Sequence, residues 1–545
     1  MQHLTVLVRL FSPRLACRLV QAWREHDSSV CQYLRWFWQS KTFRTTSRQL
    51  SPSDRPLVAL LFSWTVVQIA AGVSLFVAWQ LQRTPGYLEL AAATLLSYPI
   101  VTAHMLALVV AGGRVLTYVT RPKQLGRYVV ARVLEAQVRQ LRRRHHVTVV
   151  AVAGSVGKTT TKLAVAHLLG EYSRVRYQSG NYNDRVTVPL VFFGQTEPSL
   201  YNPFAWMRVF GENAAALHQP YPYDVVVVEL GTDAPGQMKD FAYVCPDITV
   251  VTAVTPEHMA NFGTMDAVAA EELSVFDYSK RVLINTDMVP STYLTSKRFT
   301  QYSLKTHDPQ GYAARATKPS LHGQTLQVKT PKGSLTATVK YLGVQGASSA
   351  LAAAAVADML GMDHKALQHA LGQLAPFAGR MQVLDGVKST TLIDDTYNAT
   401  PVAVQAALDV LYATTAPQRI AILGSMNELG TFAREAHETV GAYCDPQRLD
   451  LVVTIGADAK RWLAPAARAA GCQVYSCSTP YQAGRYVAKR LKPQAVVLAK
   501  GSQNGVYAEE ALKPLLAHPR DVSKLVRQSR AWAKIKANQF AGQGC

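Results

Sequence analysis

The sequence predicts an α/β protein with two doubly wound parallel-sheet domains, preceded by two transmembrane helices. Its 545 residues exceed the length of one ordinary domain and suggest three or four. From residue 147 onward, β-branched strands alternate with helical segments, which is the rhythm of parallel sheets. Before that point lie two apolar stretches of 24 residues without a charge, 57–80 and 90–113.

Composition excludes several classes of protein. Hydrophobic residues make up 48% of the chain, and mean hydropathy is +0.02, which excludes a disordered or collagen-like chain. The seven cysteines are odd in number and form no Cys-x-x-Cys pair. This argues against a disulfide scaffold and a four-cysteine zinc site, and indicates a reducing compartment.

The two apolar stretches are each long enough to cross the ~30 Å hydrocarbon core of a bilayer as a helix. We predict two transmembrane helices within 57–113, with a buried hairpin or a re-entrant pair as the alternative. The flanking segments 1–56 and 114–146 each carry nine Lys and Arg residues. Cytoplasmic flanks attract basic residues, so we expect a multi-pass protein of the cell membrane whose larger part faces the cytoplasm.

The net charge of +21 does not require a nucleic-acid partner, and none is predicted. Residues 1–146 account for about +14 of it, and the basic run Arg142–Arg144 is interpreted as a topology signal. The first 40 residues mix Arg with Leu and Trp in a helical rhythm. They indicate either an interfacial amphipathic helix or a helix packed on the rest of the protein.

A phosphate-binding loop follows the strand predicted at 147–154. A Gly-rich turn leads into Lys-Thr and then into a helical run, so backbone N–H groups and the helix N-terminus can hold phosphate oxygens. Val152 stands where the eight-residue pattern has its first glycine, so the match is to a shorter form, with a chance Gly-Lys-Thr as the alternative. The predicted nucleotide-binding residues here are Gly154, Ser155, Gly157, Lys158, Thr159 and Thr160.

Three later strands are expected to deliver polar side chains to the same sheet edge. Strand 224–230 carries Glu229 near its end, a predicted Mg²⁺ ligand together with Thr159. Strand 247–254 leads to His258, for which a purely structural role is the alternative. Strand 282–285 ends at Asn285, predicted to lie near the nucleotide base or ribose.

The remaining chain predicts two soluble domains, 147–376 and 377–545. Residues 300–340 alternate hydrophobic and polar residues and indicate a small antiparallel patch, followed by an Ala-rich helix. From about residue 376 a second βαβα series begins, which predicts a Rossmann-like domain.

Seven motifs in this region resemble those of the Mur ligases, the ATP-dependent amide-forming enzymes of peptidoglycan precursor synthesis. They occur in the family's order over 147–515. The motifs are GSVGKTTTK (154–162), GNYNDRVTVP (180–189), VELGTDAPGQM (228–238), EHMANFGTMDAVA (257–269), IDDTYNATP (393–401), ILGSMNELG (422–430) and LAKGSQN (498–504).

The resemblance implies ATP and Mg²⁺ as cofactors and assigns roles residue by residue. Lys158 contacts phosphates, Thr159 and Glu229 bind one Mg²⁺, and His258 helps to hold a second. The acceptor side includes Asn183. Arg380 and Asp395 close over ATP from the C-terminal domain. The amine side includes Asn398, Lys500 and Ser502, for which loop structure and helix capping are the alternative.

Three departures from the family pattern stand out. Glu272 occupies the place of a lysine that is carbamylated in the family, and we hypothesise that it serves the second Mg²⁺. Gln345 and Ser349 replace a His and an Asn of the nucleotide side. The N-terminal domain that grips a UDP-sugar is expected to be absent, with the membrane spans in its place.

The sequence therefore predicts a membrane-anchored ATP-dependent ligase. It would join the carboxylate of a muramyl-peptide-like precursor to an amine such as D-alanyl-D-alanine through an acyl phosphate. We expect its soluble part to be monomeric. The alternatives are a different or lipid-linked acceptor, and a catalytically degenerate nucleotide-binding scaffold.

Overall fold

The computed structural model describes residues 9–12, 14–25, 30–39, 55–120, 122–306 and 308–541. Much of the predicted basic segment 1–56 therefore lies outside the described residues. The described chain forms two compact units, Met1–Tyr128 and Val129–Cys545.

The N-terminal unit is helical. Two apolar helices, α3 (Arg55–Gln82) and α4 (Pro85–Thr120), follow α1 (Leu15–Glu25) and α2 (Val30–Gln39). The Thr65 hydroxyl lies 3.4 Å from that of Thr102, and Gln68 donates to Ser97 over 3.4 Å, so α3 and α4 form an antiparallel hairpin. The stretches Arg55–Gln82 and Pro85–Ala111 are long and apolar enough to cross a membrane.

The two amphipathic helices pack on this hairpin. Leu19 and Trp23 of α1 are buried in one cluster with Leu61 and Leu106, and the Tyr33 hydroxyl of α2 donates to the Ala103 carbonyl over 3.2 Å. Much of the apolar surface of α1 and α2 is therefore covered by protein, although Trp38 of α2 is 62% exposed, and this favours the packed helix over the interfacial one.

The larger unit contains two sheets, and its N-terminal part holds the nine-stranded one. Its strand order is β2-β3-β1-β4-β5-β6-β7-β8-β9, parallel from β2 to β7 and antiparallel from β7 to β9. The strands are β1 (Thr148–Ala153), β2 (Val175–Arg176), β3 (Val225–Glu229), β4 (Ile248–Val251), β5 (Val282–Asn285), β6 (Thr300–Ser303), β7 (Tyr312–Ala316), β8 (Gln324–Thr330) and β9 (Gly333–Val339).

Helices cover both faces of this sheet. They are α5 (Pro122–Arg144), α6 (Lys158–Gly170), α7 (Thr187–Phe193), α8 (Pro203–Ala216), α9 (Met259–Phe262), α10 (Met265–Glu272), α11 (Gly343–Met359) and α12 (His364–Gln373). Alternation along β1 explains the two layers: Val150 and Val152 face one core cluster, and Val149 and Ala151 face the other. The predicted antiparallel patch is an extension of the main sheet.

The C-terminal sheet has six strands in the order β10-β11-β15-β12-β13-β14, with β10 antiparallel and the others parallel. Its strands are β10 (Gln382–Gly386), β11 (Thr390–Asp395), β12 (Arg419–Gly424), β13 (Leu451–Ile455), β14 (Val474–Cys477) and β15 (Val496–Lys500). Its helices are α13 (Pro401–Ala413), α14 (Ala433–Tyr443), α15 (Ala464–Ala469), α16 (Pro480–Ala488) and α17 (Arg530–Gln539). The predicted doubly wound α/β architecture is confirmed, whereas β2, β10 and β14 were not predicted.

Short 3₁₀ turns and one π turn complete the larger unit. The 3₁₀ turns are Met238–Val244, Leu273–Asp277, Ser291–Tyr293, Val387–Ser389, Gly430–Phe432, Ala508–Ala511, Lys513–Leu515 and Pro519–Lys524, and the π turn is Ala459–Leu463.

The basic C-terminal end of helix α5 is held by side-chain contacts to the larger unit. Arg142 pairs with Asp247 over 3.1 Å and donates to the Cys245 carbonyl over 2.8 Å. Arg144 donates to the Leu217 carbonyl over 3.2 Å. These arginines therefore fix the entry of the chain into β1, a structural role beyond the predicted topology signal.

Candidate active site

The loop between β1 and α6 has the geometry of a phosphate-binding loop. Gly154 has φ +115°, and a Cβ there would lie 2.5 Å from the Thr252 hydroxyl, so only glycine fits. Gly157 has φ +86° and precedes α6, so the backbone turns sharply into the helix at Lys158. The free N–H groups and the positive end of the α6 dipole therefore face the loop. This arrangement favours binding of an anion such as a phosphate.

The lysine of this loop is paired with a carboxylate from a neighbouring strand. Lys158 Nζ lies 3.1 Å from Glu257 Oε2, just beyond β4. Burial lowers the pKa of Lys158, but the carboxylates of Glu257, Glu272 and Glu229 raise it by more, so the net direction is upward. Lys158 is therefore a permanent cation. Glu257 neutralises its charge in this structure, as a bound phosphate would.

Glu229 lies at the end of β3 beside the loop. The Thr159 hydroxyl donates to its Oε1 over 3.3 Å, and Lys162 Nζ lies 3.1 Å from its Oε2. Burial raises the pKa of Glu229, yet Lys162 and Lys158 lower it by more, so the carboxylate stays ionised. The predicted pair of Thr159 and Glu229 is thus assembled, with Lys162 as a partner that the sequence analysis missed.

His258 bridges the two sheets of the larger unit. Its Nε2 lies 3.3 Å from Asp233 Oδ1, and its Nδ1 lies 3.5 Å from Glu428 Oε2 of the C-terminal part. Both His258 and Glu428 have positive φ, +48° and +67°. The histidine therefore lies in the cleft, but its nearest acids are not the predicted metal ligands.

Glu272 lies behind the phosphate-binding loop. Its Oε2 accepts the Gly154 N–H over 2.8 Å, and its side chain is 2% exposed. Burial raises the pKa of Glu272 to about 7, against the opposing effect of Lys158. Within the described ranges, no three His, Cys, Asp or Glu side chains form a group that could hold a metal ion. The second predicted pair, His258 and Glu272, is therefore not part of any such group of three in these ranges.

The C-terminal part supplies the opposite wall. The Arg380 guanidinium lies 4.1 Å from the centre of the Tyr397 ring. Lys500 Nζ lies 2.5 Å from Asp395 Oδ2 and donates to the Asn398 carbonyl over 3.0 Å. β11 and β15 are paired with Asp395 opposite Lys500, so sheet register brings these two residues together although they are far apart in sequence.

A cavity of about 350 Å³ joins these elements. Twelve of the predicted site residues line it: Ser155, Gly157, Lys158, Thr159, Thr160, Asn183, Glu229, His258, Arg380, Asp395, Asn398 and Lys500. Glu257, Glu428 and Tyr397 also line it and were not predicted as site residues. The sequence feature that could have identified Glu257 as a site residue was its position next to His258, just after a predicted strand.

Four predicted site residues lie elsewhere. Gly154 and Glu272 lie behind the cavity wall. Asn285 lines an adjoining, more apolar cavity of about 480 Å³. The Ser502 hydroxyl accepts the Asn427 N–H over 2.9 Å and donates to the Ala399 carbonyl over 3.4 Å, so its contacts are those of a loop-fixing residue.

The cavity walls have unused hydrogen-bonding atoms that fit a nucleoside triphosphate. In the described part of the chain, five buried polar side-chain atoms of the wall have no hydrogen-bond partner: Arg380 Nε, Gln345 Nε2, Thr400 Oγ1, the Tyr341 hydroxyl and Glu229 Oε2, of which the last still forms its ion pair with Lys162. A buried donor without a partner costs about 1–3 kcal/mol, which a bound oxygen-rich ligand would recover. The donor set, the loop and the carboxylate beside Thr159 therefore fit a triphosphate with Mg²⁺.

A buried histidine supports the loop that carries Glu428. The Met426 N–H donates to His437 Nε2 over 2.9 Å, so the ring proton is on Nδ1, 2.6 Å from the Ala433 carbonyl. Burial lowers the pKa of His437. The imidazole therefore binds its second ring proton more readily in the unfolded chain than in the folded one.

We therefore expect stability to fall as the pH drops through about 6.5, the unfolded value for histidine. Urea unfolding at pH 7.5 and 5.5 checks this. His437→Gln keeps an acceptor and a donor without titrating, and should reduce the pH-dependent loss by up to about 1 kcal/mol. His369→Gln, at an exposed position, is the control. Equal pH dependence in all three proteins would contradict the assignment.

The fold and the cavity define a two-domain protein of the P-loop class, in which a second α/β domain faces the phosphate-binding loop. The Mur ligase middle domain model matches residues 152–357, and the model of the Mur ligase, glutamate ligase domain matches residues 379–503. The chain belongs to the Mur ligase family, as its motifs had indicated.

Its relatives include UDP-N-acetylmuramoyl-tripeptide–D-alanyl-D-alanine ligases. The Haemophilus influenzae enzyme is 26% identical over 324 residues, which are 58% of this chain and 65% of the relative. The Synechocystis enzyme is 28% identical over 380 residues, which are 69% of this chain and 76% of the relative. The chain thus spans slightly less than two thirds of the Haemophilus relative.

Solved structures share the fold. MurF from Acinetobacter baumannii has a TM-score of 0.57 at 20% identity and covers 71% of this chain and 79% of its own. MurF ligase from Thermotoga maritima, in complex with ADP, has a TM-score of 0.57 at 22% identity, with 72% and 84% covered. At these identities the likeness concerns the fold.

Proposed function

We propose that this protein is a membrane-anchored ATP-dependent ligase. It joins a carboxylate of a muramyl-tripeptide precursor to the amine of D-alanyl-D-alanine through an acyl phosphate. The named relatives act on this pair of substrates according to their names, and the cavity described above is suited to the same chemistry.

One observation carries the proposal: cations from both domains face one cavity. Lys158 lies on the central side, and Arg380 and Lys500 lie on the C-terminal side. Transfer of a phosphoryl group spreads negative charge over its oxygens, and fixed cations in a dry site stabilise that charge. A scaffold that only binds nucleotide would need no such facing set.

Each residue has a defined part in this chemistry. Lys158 neutralises the transferred phosphoryl group, and Arg380 stabilises the charge that develops on the opposite side. Thr159 and Glu229 would hold Mg²⁺, which supplies charge neutralisation at the phosphate oxygens. Asp395 keeps Lys500 in place at the side where the amine approaches the acyl carbonyl.

The apolar helices α3 and α4 support anchoring by length and composition. We propose that they span the cell membrane and keep the catalytic domains at its cytoplasmic face, since basic residues flank both ends of the hairpin. This placement favours a second candidate substrate, a lipid-linked muramyl peptide presented at the membrane surface.

Phosphate release by the full-length protein in liposomes tests the function. We expect turnover only when Mg²⁺-ATP, a muramyl-tripeptide acceptor and D-alanyl-D-alanine are all present. UDP-linked and lipid-linked acceptors are compared at equal concentration. Preference for the lipid-linked acceptor would establish the second candidate, and no acceptor-dependent turnover with either would contradict ligase activity on this substrate class.

Glu272 offers a further prediction about the metal. We propose that its carboxylate supports the second Mg²⁺, through water, from behind the phosphate-binding loop. Glu272→Gln keeps an oxygen for the Gly154 N–H but loses the charge. We expect the Mg²⁺ concentration for half-maximal turnover to rise about tenfold, in line with the effect of residues that support metal ligands. Glu212→Gln, at an exposed position, is the control, and unchanged Mg²⁺ dependence in Glu272→Gln would refute the hypothesis.

A further inference from the structure

The start of helix α8 and the turn before it carry an unusual exposed surface. Tyr201, Phe204 and Met207 are 72%, 81% and 68% exposed. They are the three most exposed large hydrophobic side chains among the described residues of Val129–Cys545, and all lie within seven residues. Isolated exposed hydrophobics are common, whereas a contiguous group marks a contact surface. We call Val129, Tyr201, Phe204 and Met207 the apolar tip. Val129 is included because it is 50% exposed and, by the helix contacts described below, lies at the level of the start of α8.

The apolar tip stands on a rigid base. Asn202 caps α8 by accepting the Ala205 N–H over 3.0 Å, and Pro203 occupies the first helical turn. On the inner face of α8, Trp206 and Val209 are buried against Leu134 of α5. Phe204 and Met207 are thus displayed by a well-formed helix start, and Tyr201 lies in the turn just before its cap.

Pairwise contacts fix the direction of α8 against α5. Gln137 donates to the Phe210 carbonyl over 2.9 Å and accepts from Asn213 over 2.9 Å. Seven residues later, Arg144 donates to the Leu217 carbonyl. Both helices therefore run in the same direction, and the start of α8 lies at the level of Val129, where α5 enters this unit.

The surroundings of the apolar tip are basic. The Arg208 side chain on α8 is 74% exposed and pairs with Glu212 over 3.7 Å, and the Arg132 side chain on α5 is 52% exposed and pairs with Glu135 over 3.2 Å. Glu135 is shared with Arg139, which is 44% exposed, so three arginines face two acids. Aromatic side chains flanked by arginine are typical of segments that lie in the headgroup region of anionic bilayers.

The chain connection permits this contact. The apolar stretch of α4 ends at Ala111, and only residues 112–128 separate it from Val129. Nearly all of these seventeen residues belong to α4 and α5, and as helix they span about 25 Å, so the apolar tip is within reach of a bilayer crossed by α4.

We propose that the apolar tip inserts into the headgroup boundary of an anionic lipid bilayer. This inference rests on the proposed membrane anchoring by α3 and α4. Insertion removes the apolar side chains from water, and Arg132 and Arg208 meet lipid phosphates. A second contact besides the anchor would restrict the orientation of the catalytic domains at the surface.

Spin labels on the full-length protein test the contact. Cys17, Cys31, Cys245 and Cys545 are replaced by Ser. Burial raises the pKa of the other three thiols, to about 12 for Cys444 and about 11 for Cys477, and keeps them unreactive. Labels are placed at Met207→Cys, at Val73→Cys in α3 and, as an exposed control, at Ile535→Cys in α17. The protein is reconstituted in vesicles of phosphatidylglycerol and phosphatidylcholine.

Collision rates with oxygen and with a water-soluble nickel chelate report the surroundings of each label. We expect the ratio of oxygen to nickel collisions at 207 to exceed that at 535 about threefold, as for an interfacial side chain. Phe204→Asp should abolish this excess, whereas the same acidic substitution at another exposed aromatic residue, Tyr475→Asp, should leave it unchanged.

The outcomes separate this inference from the anchoring proposal. A lipid signal at 73 with a water signal at 207 would overturn the contact and leave the anchor in place. A water signal at 73 would overturn the anchor, and this inference with it. A label at 207 shielded from both reagents would mean that protein covers the apolar tip, which also overturns the lipid contact.

Discussion

Lys158→Met should lower acceptor-dependent phosphate release by about 10³-fold, because the transferred phosphoryl group loses the fixed cation of the phosphate-binding loop. The methionine retains the length and apolar part of the side chain, so the loop keeps its shape. Lys280→Met, at an exposed lysine that pairs with Asp247, is the control and should change turnover less than twofold. Initial rates at saturating ATP give the comparison.

A second variant separates catalysis from folding. Lys158→Met leaves the partly buried Glu257 without its cation, and burial already raises the pKa of Glu257. Lys158→Met/Glu257→Gln removes this uncompensated acid and should regain most of the lost thermal stability. Turnover should stay low in the double variant. If turnover recovered together with stability, Lys158 would be a structural residue and the proposed catalytic role would be wrong.

Glu509→Gln should lower the free energy of unfolding by about 3–5 kcal/mol, the typical cost of breaking a buried ion pair. Glu509 is 0% exposed and lies 2.7 Å from Arg527 and 2.9 Å from Lys536, both nearly buried. Glutamine has no negative charge, so Arg527 and Lys536 lose the counter-charge that Glu509 provides. Denaturant unfolding of the full-length protein measures the loss.

Glu438→Gln is the matched control, because the same substitution there removes an exposed pair with Arg434. It should cost less than about 0.5 kcal/mol. A cost in Glu509→Gln no larger than in this control would show that the cluster does not stabilise the C-terminal domain.

The same cluster reaches the candidate active site. Arg527 donates to the Thr396 and Tyr397 carbonyls over 2.6 and 3.0 Å. The Arg380 guanidinium in turn lies over the Tyr397 ring. Glu509→Gln should therefore also raise the KM for ATP, below the unfolding transition, while Glu438→Gln leaves it unchanged. This effect tests whether α17 and its preceding loop hold the C-terminal wall of the cavity.

Elements with local sequence signals could be predicted without the structure. The strand, glycine turn and Lys158 of the phosphate-binding loop lie within twelve residues, so the loop could be located from its pattern. Glu229 was identified because it ends a buried strand. The apolar helices α3 and α4 were predicted because the lengths of uncharged runs need no tertiary context.

Which of these residues contact one another could be seen only in the tertiary structure. Parallel pairing of β1 with β3 and β4 brings Lys162 to Glu229 and Lys158 to Glu257, contacts across about 70 and 100 residues. Glu272 was assigned to the metal from its place in the sequence, but the backbone of Gly154 holds one of its oxygens. The apolar tip of α8 follows from the packing of α8 on α5, because burial of Trp206 on one face leaves Phe204 on the other. Sheet register and helix packing are long-range properties, and no local pattern encodes them.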